Sequence, residues 1–101
     1  MARTERIESD VVRNIKDYCK ARGLKVRRTA LREGVDTGFP DLMICIPRTP
    51  FFLEVKKPGE KPSPKQNFVM DELRAIGYDV DWCDNSADAR FMIDLRLHAA
   101  S

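Results

Sequence analysis

A chain of 101 residues, 34% of them charged and with a net charge of +2, has room for one modest core, so a single domain over residues 1–101 is expected. Its longest apolar runs are of strand length, far short of the ~20 residues that cross a bilayer, and the charged opening MARTERIESD is no signal peptide, which excludes a membrane protein and points to the cytoplasm. Cys19, Cys45 and Cys83 are widely spaced, without a CxxC pair or nearby histidines, so reduced thiols are expected in place of a disulfide framework or a zinc site.

The small net charge hides an asymmetry. Residues 1–65 hold 15 Lys and Arg against 9 Asp and Glu, whereas residues 66–101 hold 3 against 7. The basic excess collects in Arg13, Lys16, Lys20, Arg22, Lys25, Arg27, Arg28 and Arg32, and again in Lys56, Lys57, Lys61 and Lys65. Such a surface suits a polyanion such as nucleic acid, and a solvated helix face is the plainer reading.

The first helix is expected from just after Thr4 to about Ala21, with Ile7, Val11, Val12, Ile15, Tyr18 and Cys19 at helical spacing and Gly23 as its stop. LKVRRTAL, residues 24–31, reads as a strand. REGVDTGFP follows as a turn-rich loop, with Gly34 and Gly38 allowing the turns and Asp36 placed beside a site. Two stronger strands come next, Asp41 to Ile46 and Phe51 to Lys57, joined by Pro47 to Pro50 as a hairpin. Ser63, Pro64 and Gln66 form a capping box that opens a second helix to Ile76, which Gly77 ends. YDVDWC, residues 78–83, alternates as a strand in which Trp82 is read as core packing. A last helix runs from about Ser86 to Leu97, leaving His98 idle beside an unstructured AAS tail. Leu42, Ile44, Ile46, Phe51, Leu53 and Val55 make one apolar face, and the opposite face also carries Met43, Cys45 and Phe52. Both faces therefore need helical cover. The expected fold is an α/β/α sandwich around a mixed four-stranded sheet, in the order α β β β α β α.

The central strands also carry charges. FFLEVKK places Glu54 and Lys56 on one face of a strand. An even-length hairpin loop that sets Ile46 opposite Phe51 sets Met43 opposite Glu54 and Asp41 opposite Lys56, so that Asp41, Glu54 and Lys56 meet at one end of that face. Two carboxylates this close repel unless one takes a proton or a cation sits between them, and oxygen-only ligands favour Mg²⁺ or Mn²⁺. Such a metal polarises a phosphate and activates a water, while Lys56 is placed to orient that water and offset developing charge. Glu8, on the sheet-facing stripe with Val12, Ile15 and Cys19, leaves two readings: a further metal ligand, or a first-turn glutamate favoured by the helix dipole.

The string GFPDLMICIPRTPFFLEVKKPGEKPSPKQ, Gly38 to Gln66, resembles the PD-(D/E)XK nuclease superfamily, with Pro40-Asp41 and Glu54-Val55-Lys56 as its motif halves. The G-x-P-D opening, the E-x-K-K-P-G continuation and a helix bearing glutamine after a serine look like the VRR-NUC family of virus-type replication and repair nucleases. The resemblance implies that Asp41 and Glu54 bind the metal with the Val55 carbonyl, that Lys56 is the catalytic lysine, and that Glu8 and Gln66 fill the acidic position of the first helix and the glutamine position of the second. The capping box explains Gln66 without chemistry. Family likeness further implies a stand-alone viral or bacterial homodimer that cleaves branched DNA such as four-way junctions, acting in a bacterial or virus-infected cell. Lys57, Lys61, Lys65, Arg27 and Arg28 are the expected phosphate contacts. A sequence-specific restriction-like nuclease, an archaeal-type junction resolvase and a non-catalytic binding module are the rivals.

Overall fold

The computed structural model describes residues 4–29 and 37–101. The end of the first expected strand, Arg32, and Gly34 and Asp36 of the turn-rich loop lie outside the described residues. The elements follow the expected order: α1 (Glu8–Ala21), β1 (Val26–Arg28), β2 (Leu42–Ile44), β3 (Phe51–Val55), α2 (Pro64–Ala75), β4 (Asp79–Cys83) and α3 (Ser86–Ala100). The strands form one sheet in the order β1-β2-β3-β4, with β1, β2 and β3 antiparallel and β3 parallel to β4.

Local chemistry sets the boundaries. α1 begins at Glu8, later than expected, because the Asp10 carboxylate accepts from the backbone N–H groups of Arg6 (2.9 Å) and Ile7 (3.2 Å) and holds the chain outside the helix there. At its other end Gly23, at φ +73°, closes a Schellman turn in which Leu24 N–H donates to Cys19 O (2.8 Å) and Gly23 N–H to Lys20 O (3.1 Å). α3 runs through Ala100, so His98 and the two alanines of the expected loose tail are helical.

The hairpin departs from expectation in register. Ile44 faces Phe51 and Leu42 faces Leu53, so the pairing is displaced by two residues and the connection spans 45–50. Pro47 and Pro50 cannot donate to a ladder, Arg48 sits at φ +73°, and the connection bonds within itself through Ile46 N–H to Ile44 O (2.9 Å) and Thr49 N–H to Ile46 O (3.2 Å). A slip of two keeps every side chain on its expected face, which is why the layers survive the error.

Val11, Val12, Ile15 and Cys19 of α1 and Ala89 and Ile93 of α3 pack on the face formed by Leu42, Ile44, Phe51, Leu53, Val55 and Cys83. Each fully buried Leu, Ile or Phe in such a layer contributes roughly 1.5–3 kcal/mol. Arg96 ties α3 to the sheet, gripping Asp79 with Nε (2.7 Å) and an Nη (2.9 Å) while its guanidinium lies 3.7 Å from the centre of the Phe51 ring. α2 covers the other face beside β4, and Met70 is its buried residue. Glu5 ties the middle of α1 to the start of α3, accepting from buried Asn14 Nδ2 (2.7 Å) and from the Ser86 N–H (3.0 Å).

Candidate active site

Continuing the β2–β3 ladder one step beyond the Leu42–Leu53 pair brings Asp41 across from Glu54, on the face that α2 covers. The backbone at Asp41 is fixed twice over: Thr29 N–H donates to its carbonyl (2.9 Å), and the Thr29 hydroxyl donates to the carbonyl of Pro40. Its carboxylate turns along the strand to accept from the Val55 N–H at 3.0 Å, standing in for a ladder partner where the strands diverge. Gly38, at φ +76°, lets this segment pass against α2; a Cβ there would lie 3.0 Å from Val69 Cγ2 and 3.1 Å from Lys65 Cγ.

Glu54 is 1% exposed. Its Oε2 accepts from Gln66 Nε2 at 3.0 Å and lies 3.8 Å from Lys56 Nζ, whereas its buried Oε1 has no hydrogen-bond donor among the described residues. Burial, and next the charge of Asp41, push the Glu54 carboxyl up to about 8, and Lys56 opposes this only in part. At neutral pH the cation-free Glu54 carboxyl therefore keeps its proton. A buried carboxylate with an oxygen lacking a donor and a second acid beside it is costly until a proton or a cation reaches it. The all-oxygen donor set suits a hard divalent cation.

Gln66 performs both of the roles that the sequence set against each other. Its Oε1 accepts from the Ser63 N–H (2.8 Å) and Ser63 Oγ accepts from the Gln66 N–H (3.1 Å), completing the capping box, while its Nε2 reaches Glu54. Lys56 is 12% exposed at the side chain and stands between Glu54 and Glu60, whose Oε1 is 3.5 Å from Nζ. Sequence reasoning passed over Glu60 because it sits in the turn after β3; its i+4 spacing from Lys56 was the available signal.

Glu8 is less closely held. It is an exposed residue whose carboxyl is raised by desolvation and then by the charge of Asp41, with Lys56 and Arg28 opposing, so it senses the acid pair electrostatically. Among the described residues no group of three or more His, Cys, Asp and Glu side chains gathers into a cation-binding cluster. The acids brought together are two, Asp41 and Glu54. Val55 is fully buried in the core layer on the opposite face, with Phe51, Leu53 and Cys83. Lys57, Lys61 and Lys65 are exposed along the turn and the start of α2, and Arg27 and Arg28 are exposed on the edge strand β1. Trp82 pairs with Glu54 across β3 and β4 and is partly buried, in keeping with packing. A cavity of about 390 Å³ opens at the opposite end of the sheet, lined by Ile46, Arg48, Asp79 and Arg96, and holds none of these acids.

The VRR-NUC domain family model matches residues 5–87. A solved VRR-NUC domain is 30% identical, with a TM-score of 0.72 over 86% of this chain and 94% of that one. A second solved structure, a VRR-NUC domain protein at 22% identity, superposes with a TM-score of 0.78 over 94% of this chain and 91% of its own. None of the curated proteins compared with the chain matches it. The family match spans both acids, the lysine after them and the helix that carries Gln66. This chain belongs to the VRR-NUC family, nuclease domains of the PD-(D/E)XK type.

Proposed function

We propose that the domain is a Mg²⁺- or Mn²⁺-dependent DNA endonuclease that hydrolyses phosphodiester bonds in branched DNA, four-way junctions among them, and works as a homodimer. The observation that carries this reading is the buried Glu54 carboxyl beside half-buried Asp41, with Lys56 alongside and no donor to Glu54 Oε1 among the described residues. A purely structural ion pair gains nothing from a second acid beside Glu54, whose charge works against Lys56 and raises the carboxyl. Asp41 and Glu54 would hold the cation, with the Val55 carbonyl and water completing an oxygen shell and Glu8 contributing from its exposed position. Such an ion, when bound, supplies Lewis-acid polarisation of a phosphate oxygen and an acidified water.

The chain's own groups divide the remaining work. Gln66 holds Glu54 Oε2 in place, while Oε1 has no donor among the described residues. Lys56 places a positive charge 3.8 Å from that carboxylate, where it orients a water and offsets charge developing on the phosphate. Exposed Lys57, Lys61, Lys65, Arg27 and Arg28 contact phosphates on either side, and contacts of this kind read backbone shape without base sequence. Two-fold symmetry in a homodimer would set two such sites on two strands of a junction.

The test is a panel of labelled linear, flapped and four-way DNA substrates with Mg²⁺, Mn²⁺ or chelator. The proposal expects divalent-dependent cutting near branch points, lost in Asp41→Asn, Glu54→Gln and Lys56→Gln, from a protein that sediments as a dimer. Cutting of linear duplex at one defined sequence favours the restriction-like rival, and cutting that persists in chelator refutes the metal requirement.

A further inference from the structure

The turn after β3 carries a carboxylate that the chemistry above leaves unused. Lys56 Nζ lies 3.5 Å from Glu60 Oε1, closer than its 3.8 Å to Glu54 Oε2, and the other Glu60 oxygen lies 3.9 Å from Lys57 Nζ. Glu60 itself is held. Its N–H donates to Lys57 O (3.0 Å), and the preceding Gly59, at φ +86°, donates its N–H to Asp84 Oδ2 (3.0 Å). Asp84 follows Cys83, whose carbonyl accepts from the Lys56 N–H (2.9 Å), so the backbone of the lysine and the turn bearing its counter-ion are both fastened to the same end of β4.

The two partners of Lys56 are not equivalent. Glu54 is buried beside Asp41, and any cation that occupies that pair draws its charge away from the lysine; Glu60 lies outside the pair and keeps its hold. A four-carbon lysine stem has many rotamers, and an ammonium without a fixed partner samples them. We propose that Glu60 is a positioning residue, which keeps the Lys56 ammonium beside the Asp41–Glu54 pair when Glu54 is otherwise engaged. The inference rests on the nuclease reading for its consequence in catalysis, though not for the contact itself. With its side chain 44% exposed, Glu60 contributes little to stability through this pair, so its effect should fall on geometry.

The test compares wild type with Glu60→Gln, and with Glu72→Gln as a control that removes the same charge from an exposed position on α2. Steady-state cleavage of branched DNA in Mg²⁺ should show kcat reduced about tenfold in Glu60→Gln with KM changed less than about twofold, as expected of a misplaced catalytic group. Glu72→Gln should match wild type. The Lys56 side-chain ammonium, followed by ¹⁵N NMR, should exchange faster with water in Glu60→Gln. An unchanged kcat, or an effect confined to KM, overturns the proposal, as does an ammonium signal indifferent to the substitution. If wild type cleaves nothing, the nuclease reading fails, and the ammonium signal alone still decides whether Glu60 holds Lys56.

Discussion

Replacing Glu54 by glutamine should stabilise the cation-free protein, and increasingly so as pH rises. In the folded state burial and Asp41 lift the Glu54 carboxyl from 4.5 to about 8, so between those values the folded chain keeps a proton that the unfolded chain has released. The stability this proton supports is complete below pH 4.5 and is lost as pH rises through 8. One extra bound proton corresponds to about 1.4 kcal/mol per pH unit, which reaches about 5 kcal/mol across the whole window. For a domain of this size that amounts to roughly 5–10 °C of Tm per unit. Glutamine imitates the protonated acid: its oxygen can accept from Gln66 Nε2 and its amide can donate to Asp41. Thermal unfolding in chelator from pH 5 to 9, taken as the difference between wild type and Glu54→Gln, isolates this group from Glu8, whose carboxyl is also raised. A difference that does not change with pH, or a variant less stable than wild type at pH 9, refutes the reasoning.

Other expectations concern the frame around the acids. Gly38→Ala meets both a positive φ and backbone and side-chain atoms of α2 within 3.2 Å, so urea unfolding should show a loss of about 1–3 kcal/mol, whereas Gly77→Ala, with open space around it, should lose nearer 1 kcal/mol. Glu5→Ala removes the carboxylate that accepts from Asn14 Nδ2 and from the Ser86 N–H and should cost about 1–3 kcal/mol by the same measurement. The bonds from Asn14 and Ser86 outweigh burial and hold the Glu5 carboxyl below its ordinary value, so its contribution is present above pH 4.5 and fades as pH falls below that; a Glu5→Ala acid-unfolding curve should lack this component. Lys56→Gln should reduce cleavage at least ~100-fold while still binding Mn²⁺ in calorimetry; a variant that cleaves normally removes the lysine from the chemistry.

The layers of the fold were legible in the sequence because they depend on parity and periodicity. The alternation in residues 51–56 gives the same faces whether Ile46 or Ile44 opposes Phe51, so a displacement of two residues left Asp41 and Glu54 together and even tightened their pairing. Ser63, Pro64 and Gln66 placed the start of α2 to the residue. Contacts between distant segments were not legible. Nothing local in TERIESD marks Glu5 as the acceptor for a helix 81 residues away, and the turn holding Glu60 is tied down by Asp84 across the parallel pairing of β3 with β4. Gln66 shows a further limit: a residue whose side chain has two ends can satisfy a local rule with one and serve the site with the other.

Titration calorimetry with Mn²⁺ at pH 7, in two buffers of different ionisation enthalpy, reaches the central claim most directly. Cation and proton compete for Glu54, so wild type should bind and release close to one proton per ion, and Asp41→Asn and Glu54→Gln should take up essentially none. Undiminished binding by Glu54→Gln, or no uptake by wild type, would contradict the assignment of these two acids as the metal centre.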